Sequence, residues 1–300
     1  MENFSRRIHY HKLRIKEAWN HKGNRGKRLF SLIAGYCWFF RSKITNRPKD
    51  IVVFGNMKFR CYPGSAHAQS IFFNGTAFDN WDSMHFINNV LNVNDRFIDI
   101  GANIGLFTLL ADSKIGPGGY IIAIEPISNN ISRLKENINL NNLNNVNVLQ
   151  VGVSDKIGEF YFTDADVSSH MTEIFEEKTE KIKCIRLDDI LESESEEFIV
   201  TKIDVEGMEL LVFKGAEKCF EKELLPIIIF EVNGLHERYG IRAEEIYNYL
   251  KQKNYVLGYY NHDKKNLHLD DLLHGDTIAI KQGYIEKISS RYKDLKITYK

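Results

Sequence analysis

No two cysteines in this 300-residue chain are close enough to form a CxxC pair. Cys37, Cys61, Cys184 and Cys219 are far apart, without metal-ligand spacing. That excludes a zinc knuckle or a thioredoxin-type pair. Reduced, packed thiols in a cytosolic protein are expected instead. Long apolar runs are also missing. The most apolar stretch, "LFSLIAGYCWFF" at 29–40, has twelve residues, whereas a bilayer span needs about twenty. It lies too far into the chain, and lacks the small-residue cleavage site, for an ordinary secretion signal. There is no internal repeat and no long low-complexity tract; the asparagine-rich patch at 139–148 reads as a helix end, a loop and the next strand. Net charge is zero, but residues 1–50 hold thirteen basic side chains against three acidic ones. A basic arm therefore precedes an acidic globule. Arg25, Lys27 and Arg28 precede the apolar run, and Arg41 and Lys43 follow it. Such a helix suits either an anionic membrane surface or a cover over one side of the globule or a subunit interface.

From residue 97 onward, strand and helix patterns alternate. "FIDIG", "YIIAIEP", "VNVLQVG", "FIVTKIDVEG" and "PIIIFEVNG" read as core strands, "EFYF" and "KIKCIRL" as shorter ones, and "YVLGYY" and "TIAIK" close the series. Ile127, Ile131, Leu134 and Ile138 recur at helical spacing. Helices are also expected at 104–112, along "MELLVFKGAEKCF" and at 243–252. This rhythm predicts an α/β fold, a mostly parallel sheet with helices on both faces. The expected divisions are a basic helical arm (1–50), a lead-in with a small β element (51–90), the main domain (91–284) and a C-terminal tail (285–300).

In an open α/β sheet, ligands bind beyond the carboxyl ends of the strands. The first core strand ends in Asp99-x-Gly101-x-x-x-Gly105. The glycines permit a tight turn. The lysine and Ser/Thr of a phosphate loop are absent, and so is the G-x-G-x-x-G spacing. A carboxylate at this tip repels a pyrophosphate and suits a cationic ligand. S-adenosylmethionine carries a sulfonium, an ammonium and a ribose, and no phosphate. Glu125 ends the second strand, where an acid accepts hydrogen bonds from ribose hydroxyls. The plainer reading makes Asp99 and Glu125 caps or surface acids.

Together, "FIDIGANIGLFTLLA", "IIAIEP", "VTKIDVEGMELLVFKGA" and "IIIFEVNG" resemble the FkbM-type S-adenosylmethionine-dependent methyltransferases over roughly residues 75–235. The resemblance implies a Rossmann-like class I methyltransferase with a seven-stranded, mostly parallel sheet. It also implies methyl transfer to oxygen, on sugar hydroxyls of polysaccharides, glycolipids and oligosaccharides or on polyketide hydroxyls. Under it, Gly101 and Gly105 shape the turn, Asn103 meets the methionine end of the cofactor, Asp99 holds the ammonium and Glu125 the ribose. Ser154 and Asp155 are candidates for the adenine edge, or else a simple turn with Gly158. Asp204 ends the fourth core strand; Glu206 opens the next helix, as a site acid or as a cap. Lys202, on the same face as Asp204, is placed to pair with an acid.

A sugar hydroxyl has a high pKa, so a base should take its proton during transfer. Asp204, Glu206, Glu231, His170 and His236 are the candidates, with Asp204, Glu206 and His236 the catalytic set put forward. A metal bridging Asp204 and Glu231 is the alternative; the ligand set is incomplete and no metal is assigned. The expected partner is a sugar or other hydroxyl-bearing acceptor. Rival acceptors are a polyketide-like small molecule, RNA or protein. Nucleic acid is not expected, because the main domain is acidic and lacks an Asn-Pro-Pro-Tyr-like motif. An NAD oxidoreductase fails on glycine spacing, and a non-enzymatic binding module would not need the intact acids. A cytoplasmic location is expected, with peripheral contact at the inner face of a membrane through the arm. The sequence leaves oligomeric state open.

Overall fold

A computed structural model describes residues 2–78, 80–163, 171–172 and 179–300. They form two compact units, Met1–Met84 and His85–Lys300.

The first unit begins with α1 (Glu2–Asn20) and α2 (Arg28–Thr45). Asn46 ends α2 in the left-handed region at φ 46°, where asparagine is tolerated. Strands β1 (Lys49–Val53) and β2 (Met57–Cys61) form an antiparallel hairpin. Helix α3 (Ala66–Asn74) is capped by Ser65, whose hydroxyl accepts the Ala68 N–H. Helix α4 (Trp81–Val90) runs into the second unit. Among the described residues no helix is long and apolar enough to cross a membrane.

The second unit is built on a nine-stranded sheet. Its parallel part holds β3 (Arg96–Ile100), β4 (Tyr120–Ile124), β5 (Val146–Leu149), β10 (Val200–Ile203) and β11 (Ile227–Glu231). Between them run α5 (Leu106–Ile115), α6 (Ser128–Leu140), α7 (Leu187–Ile190), α8 (Glu209–Lys214) and α9 (Glu217–Glu221). After α10 (Ala243–Gln252) come β12 (Tyr255–Asn261), β13 (Asn266–Leu269), β14 (Asp276–Lys281), α11 (Ile285–Arg291) and β15 (Lys296–Tyr299). The order is β15-β13-β12-β14-β11-β10-β3-β4-β5, with β14 inserted antiparallel between β11 and β12. A separate four-stranded sheet contains β6 (Gly152–Val153), β7 (Gly158–Thr163), β8 (Met171–Thr172) and β9 (Thr179–Ile185).

One sheet face, including Ile98, Ile122, Ile203 and Phe230, shares a core with Leu210, Phe213, Ile246 and Leu250. On the other face, Ala123 packs with Ile131, Leu134 and Ile138 of α6. Helices thus cover both faces of an α/β Rossmann-like sheet.

Three expectations need correction. The main sheet has nine strands rather than seven, because β13 and β15 extend its edge. Residues 285–300 are not a tail: Ile285 and Ile288 of α11 are buried, and β15 pairs with β13. β15 is a mostly exposed edge strand; its signal, the alternation of apolar and polar residues in "LKITYK", is confined to a short run. The stretch "VNVLQVG" is divided between β5 and β6, which belong to different sheets.

Candidate active site

Strand order sets where the site lies. From β3 the chain steps to β4 and β5 on one side, whereas β10 and β11 lie on the other. The crevice at such a reversal is where open α/β sheets bind ligands. Here it lies between the tips of β3 and β10.

These tips are in close contact. The Asp204 N–H donates to the Ile100 carbonyl at 2.9 Å. Gly101 has φ +78°, and a Cβ there would overlap the Asp204 carbonyl oxygen. The N–H groups of Gly101 and Ala102 both donate to the Ile124 carbonyl at 2.9 Å, which ties in the β4 tip just before Glu125. Backbone hydrogen bonds therefore bring Asp99, Glu125 and Asp204 together at the carboxyl ends of three neighbouring strands. Gly105, at φ +93°, starts α5 and lies against Leu134.

Asp99 is fully buried. One carboxylate oxygen accepts the Thr108 hydroxyl at 2.7 Å; the other, Oδ1, is buried without a hydrogen-bond partner. Burial pushes its pKa up, opposed by the Lys202 charge and the Thr108 hydrogen bond. Lys202 is opposite Asp99 in the β3–β10 register. Its Nζ donates to Asp204 Oδ2 at 2.9 Å and sits 4.5 Å from the Phe107 ring centroid. Burial works to lower the Lys202 pKa, but the Asp204 and Asp99 charges outweigh it, and the pKa lies above its usual value. Lys202 therefore stays charged beneath the crevice.

Glu125 is buried and braces the turn. Its Oε2 accepts the Asn103 N–H at 2.9 Å; its Oε1 accepts the Ile127 N–H and the Asn130 amide, each at 3.1 Å. Burial pushes this carboxyl up as well, against those hydrogen bonds. Asn103 occupies the left-handed region at φ 50°, and its Oδ1 accepts the Ile104 N–H at 2.8 Å.

Past β10 the acids are crowded. Glu206 is held at φ 54°, a conformation uncommon for a residue with a side chain. Burial, and then the charges of Asp204, Glu231 and Glu209, push its pKa up to about 7. Glu209 is buried and is also pushed up to about 7, chiefly by burial. It accepts the N–H groups of Gly207 at 3.2 Å and Val205 at 3.4 Å, fixing the loop that carries Glu206. Glu231, at the tip of β11, is raised by burial and by the charges of Asp204 and Asp276. At Gly207, φ +102°, a Cβ would meet the backbone of Leu235 and His236. The loop after β11 therefore rests on the loop after β10, and His236 is buried there.

Ser154 and Asp155 lie apart from these tips. The Ser154 hydroxyl donates to Asp155 Oδ1 at 3.1 Å. The Ser154 carbonyl and the Asp155 backbone abut Gly215, which follows α8. Asp204 and Glu206 precede that helix, whose six residues rise about 9 Å. His170 falls outside the described residues. The sequence reading passed over Thr108 and Glu209. Each is a polar residue in an otherwise apolar helical stretch, "LFTLLA" or "MELLVF", and that was the available signal.

The family described as Methyltransferase FkbM domain matches residues 99–257. The chain is similar to the solved structure of a methyltransferase FkbM from Methylobacillus flagellatus KT, with 14% identity, a TM-score of 0.40, and coverage of 71% of this chain and 52% of that one. It is also similar to a putative rRNA-methylase from Clostridium thermocellum, with 13% identity, a TM-score of 0.41, and coverage of 66% and 90%. A putative methyltransferase from Streptococcus mutans, solved in complex with S-adenosylhomocysteine, gives 13% identity, a TM-score of 0.39, and coverage of 66% and 94%. No curated protein matches the chain. With more than half its length matched, the chain belongs to the FkbM-domain family and is an S-adenosylmethionine-dependent methyltransferase that acts on a methyl acceptor.

Proposed function

We propose that this enzyme methylates a hydroxyl group of a sugar in a polysaccharide, glycolipid or related glycoconjugate, with Glu206 as the base. The observation that carries this reading is the Glu206 carboxyl, pushed up to about 7 on a strained loop at the strand tips. A base acts best with a pKa near the working pH, and an alcohol is the acceptor that needs one most.

The crevice suits the donor's charge. Asp99 Oδ1 is buried without a partner, and an ammonium, directly or through a water, would satisfy it. Among the described residues, Asp99, Asp204, Glu206 and Glu231 outnumber the one nearby cation, Lys202. These acids would hold a sulfonium by charge, and their own pKa values would fall in its presence. When bound, S-adenosylmethionine supplies an activated methyl group for in-line displacement. Asp99, Gly101, Asn103 and Gly105 would hold its methionine end, and Glu125 its ribose while bracing the turn. Glu206 takes the hydroxyl proton as the carbon–oxygen bond forms. Asp204, fixed by Lys202, and His236, buried against the Glu206 loop, position that carboxylate. Peripheral membrane contact through residues 1–50 suits an acceptor sugar carried on a lipid.

Mass spectrometry of glycans from cells with and without the enzyme tests the acceptor. Loss of about fourteen mass units per methylated sugar, one CH₂ by the chemistry of the transfer, is expected without the enzyme. Unchanged glycans together with an unmethylated small molecule or RNA would contradict the sugar assignment.

A further inference from the structure

Helix α2 exposes large apolar side chains of the kind that an ordinary surface helix buries. Its buried positions are Ser31, Gly35 and Trp38. Trp38 stacks on Phe72 with centroids 4.6 Å apart, and Gly35 lies so close to the Phe73 ring that a Cβ would overlap it. Leu32, Tyr36 and Phe39 are half-buried, but five further large apolar residues point outward. Leu29, Phe30, Ile33, Phe40 and Ile44 are 68%, 69%, 54%, 59% and 83% exposed, and Cys37 is exposed among them.

At 100° per residue, these six positions fall within one stripe about 100° wide and about 22 Å long. A solvated face would be polar at such positions. A continuous apolar patch of this kind marks an interaction surface. Its surroundings are cationic: residues 21–49 contain eight Lys and Arg and no Asp or Glu. Arg41 and Lys43 border the stripe on opposite sides, about 20° and 40° beyond its edges by the same geometry. Lys43 and Arg47 are exposed near its C-terminal end, and Arg25, Lys27 and Arg28 near its N-terminal end.

We propose that the Leu29–Phe30–Ile33–Phe40–Ile44 face of α2 lies in the plane of an anionic lipid surface, apolar side chains among the acyl chains and the bordering cations on the headgroups. A protein-facing stripe would need a partner with matching apolar surface; the ring of like charge favours lipid phosphates instead. The helix cannot cross the bilayer, so it rests on one leaflet. This deepens the proposed membrane contact and rests on that reading. Vesicle binding involves no methyl transfer, so its failure and failure of the sugar assignment are distinguishable.

The test is flotation of the full chain with vesicles of phosphatidylcholine alone, or of phosphatidylcholine with about a third phosphatidylglycerol. Three proteins are compared: wild type, I33S/F40S/I44S, and K43Q/R47Q. All five positions are exposed, and unchanged thermal unfolding verifies the fold. Wild type is expected to float with the anionic vesicles and to be released by salt. The serine variant should lose binding by about tenfold or more, since three inserted side chains are removed. The glutamine variant should lose most of the preference for anionic over neutral vesicles. Wild type remaining at the bottom with both vesicles would overturn the proposal, as would equal flotation of the serine variant. A wild-type dimer that does not float, converted to monomer by the serine substitutions, would instead assign the stripe to a second copy of the chain.

Discussion

Alanine at position 101 is expected to destabilise the second unit by about 2–4 kcal/mol, the combined effect of strain at positive φ and overlap in a packed site, and to abolish S-adenosylmethionine binding. The glycine sits at φ +78°, and the atom its Cβ would strike is the Asp204 backbone carbonyl. A backbone atom at a strand tip cannot swing aside as a side chain can, so β3 and β10 must part where the crevice forms. Gly240 provides the control. It sits in the left-handed region at φ 66°, ψ 17°, and nothing lies within 4 Å of its would-be Cβ. Gly240→Ala should therefore show the backbone strain alone, about 1–2 kcal/mol. Urea denaturation of both variants checks the difference. Equal losses would show that the two strand tips do not approach closely.

Glu206→Gln should lower the rate of methyl transfer by about 10²–10⁴-fold, the usual contribution of a positioned base, and weaken donor binding by less than about tenfold. Measured with radiolabelled donor and the acceptor glycan fraction, the wild-type kcat/KM, which follows the free enzyme, should rise with pH and level off above about 7, as the base loses its proton. The same substitution should alter stability with a definite sign. The Glu206 carboxyl is raised from 4.5 to about 7, so between those values the folded state binds more protons than the unfolded one. Stability from this group therefore falls as pH rises through that window. The penalty is absent below the unfolded pKa and complete above the folded one. Glutamine removes it. The variant should match wild type in stability near pH 4.5 and exceed it above pH 7, by on the order of 1 kcal/mol after allowance for solvent screening of a half-buried group. A variant with full activity, or one less stable than wild type in alkali, would remove Glu206 from the role of base.

Much of this site was legible in the sequence because strand tips are written locally. A short apolar strand running into Asp99 and Gly101, and another into Glu125, names the crevice before any coordinate is known. The positive φ of Gly101 and Gly105 follows from the turn itself. What was not legible depends on three-dimensional neighbours. The identity of residue 206 gives no hint that burial and the charges of Asp204, Glu231 and Glu209 push its carboxyl to about 7. The three hydrogen bonds at Glu125 join residues up to 22 positions apart. Ser154 and Asp155 follow β6, which leaves the main sheet for the smaller one, a division that "VNVLQVG" does not announce. β15 does carry a period-two alternation, "LKITYK", but in a run short enough to pass for a tail. The apolar run at 29–40 reads equally as a cover or as a membrane helix, because which of its residues face outward is set by neighbours in space such as Phe72 and Phe73.

Calorimetric titration of the full chain with S-adenosylmethionine and S-adenosylhomocysteine, at about pH 6 and about pH 7.5, bears on the convergence of acids most directly. The two ligands differ by a methyl group and one positive charge. Both should bind, and the preference for the sulfonium should grow by about three- to tenfold with pH, as Glu206 and Glu209, each pushed up to about 7, ionise beside it. No binding of either ligand, or a preference unchanged by pH, would contradict an acidic crevice built for a cationic methyl donor.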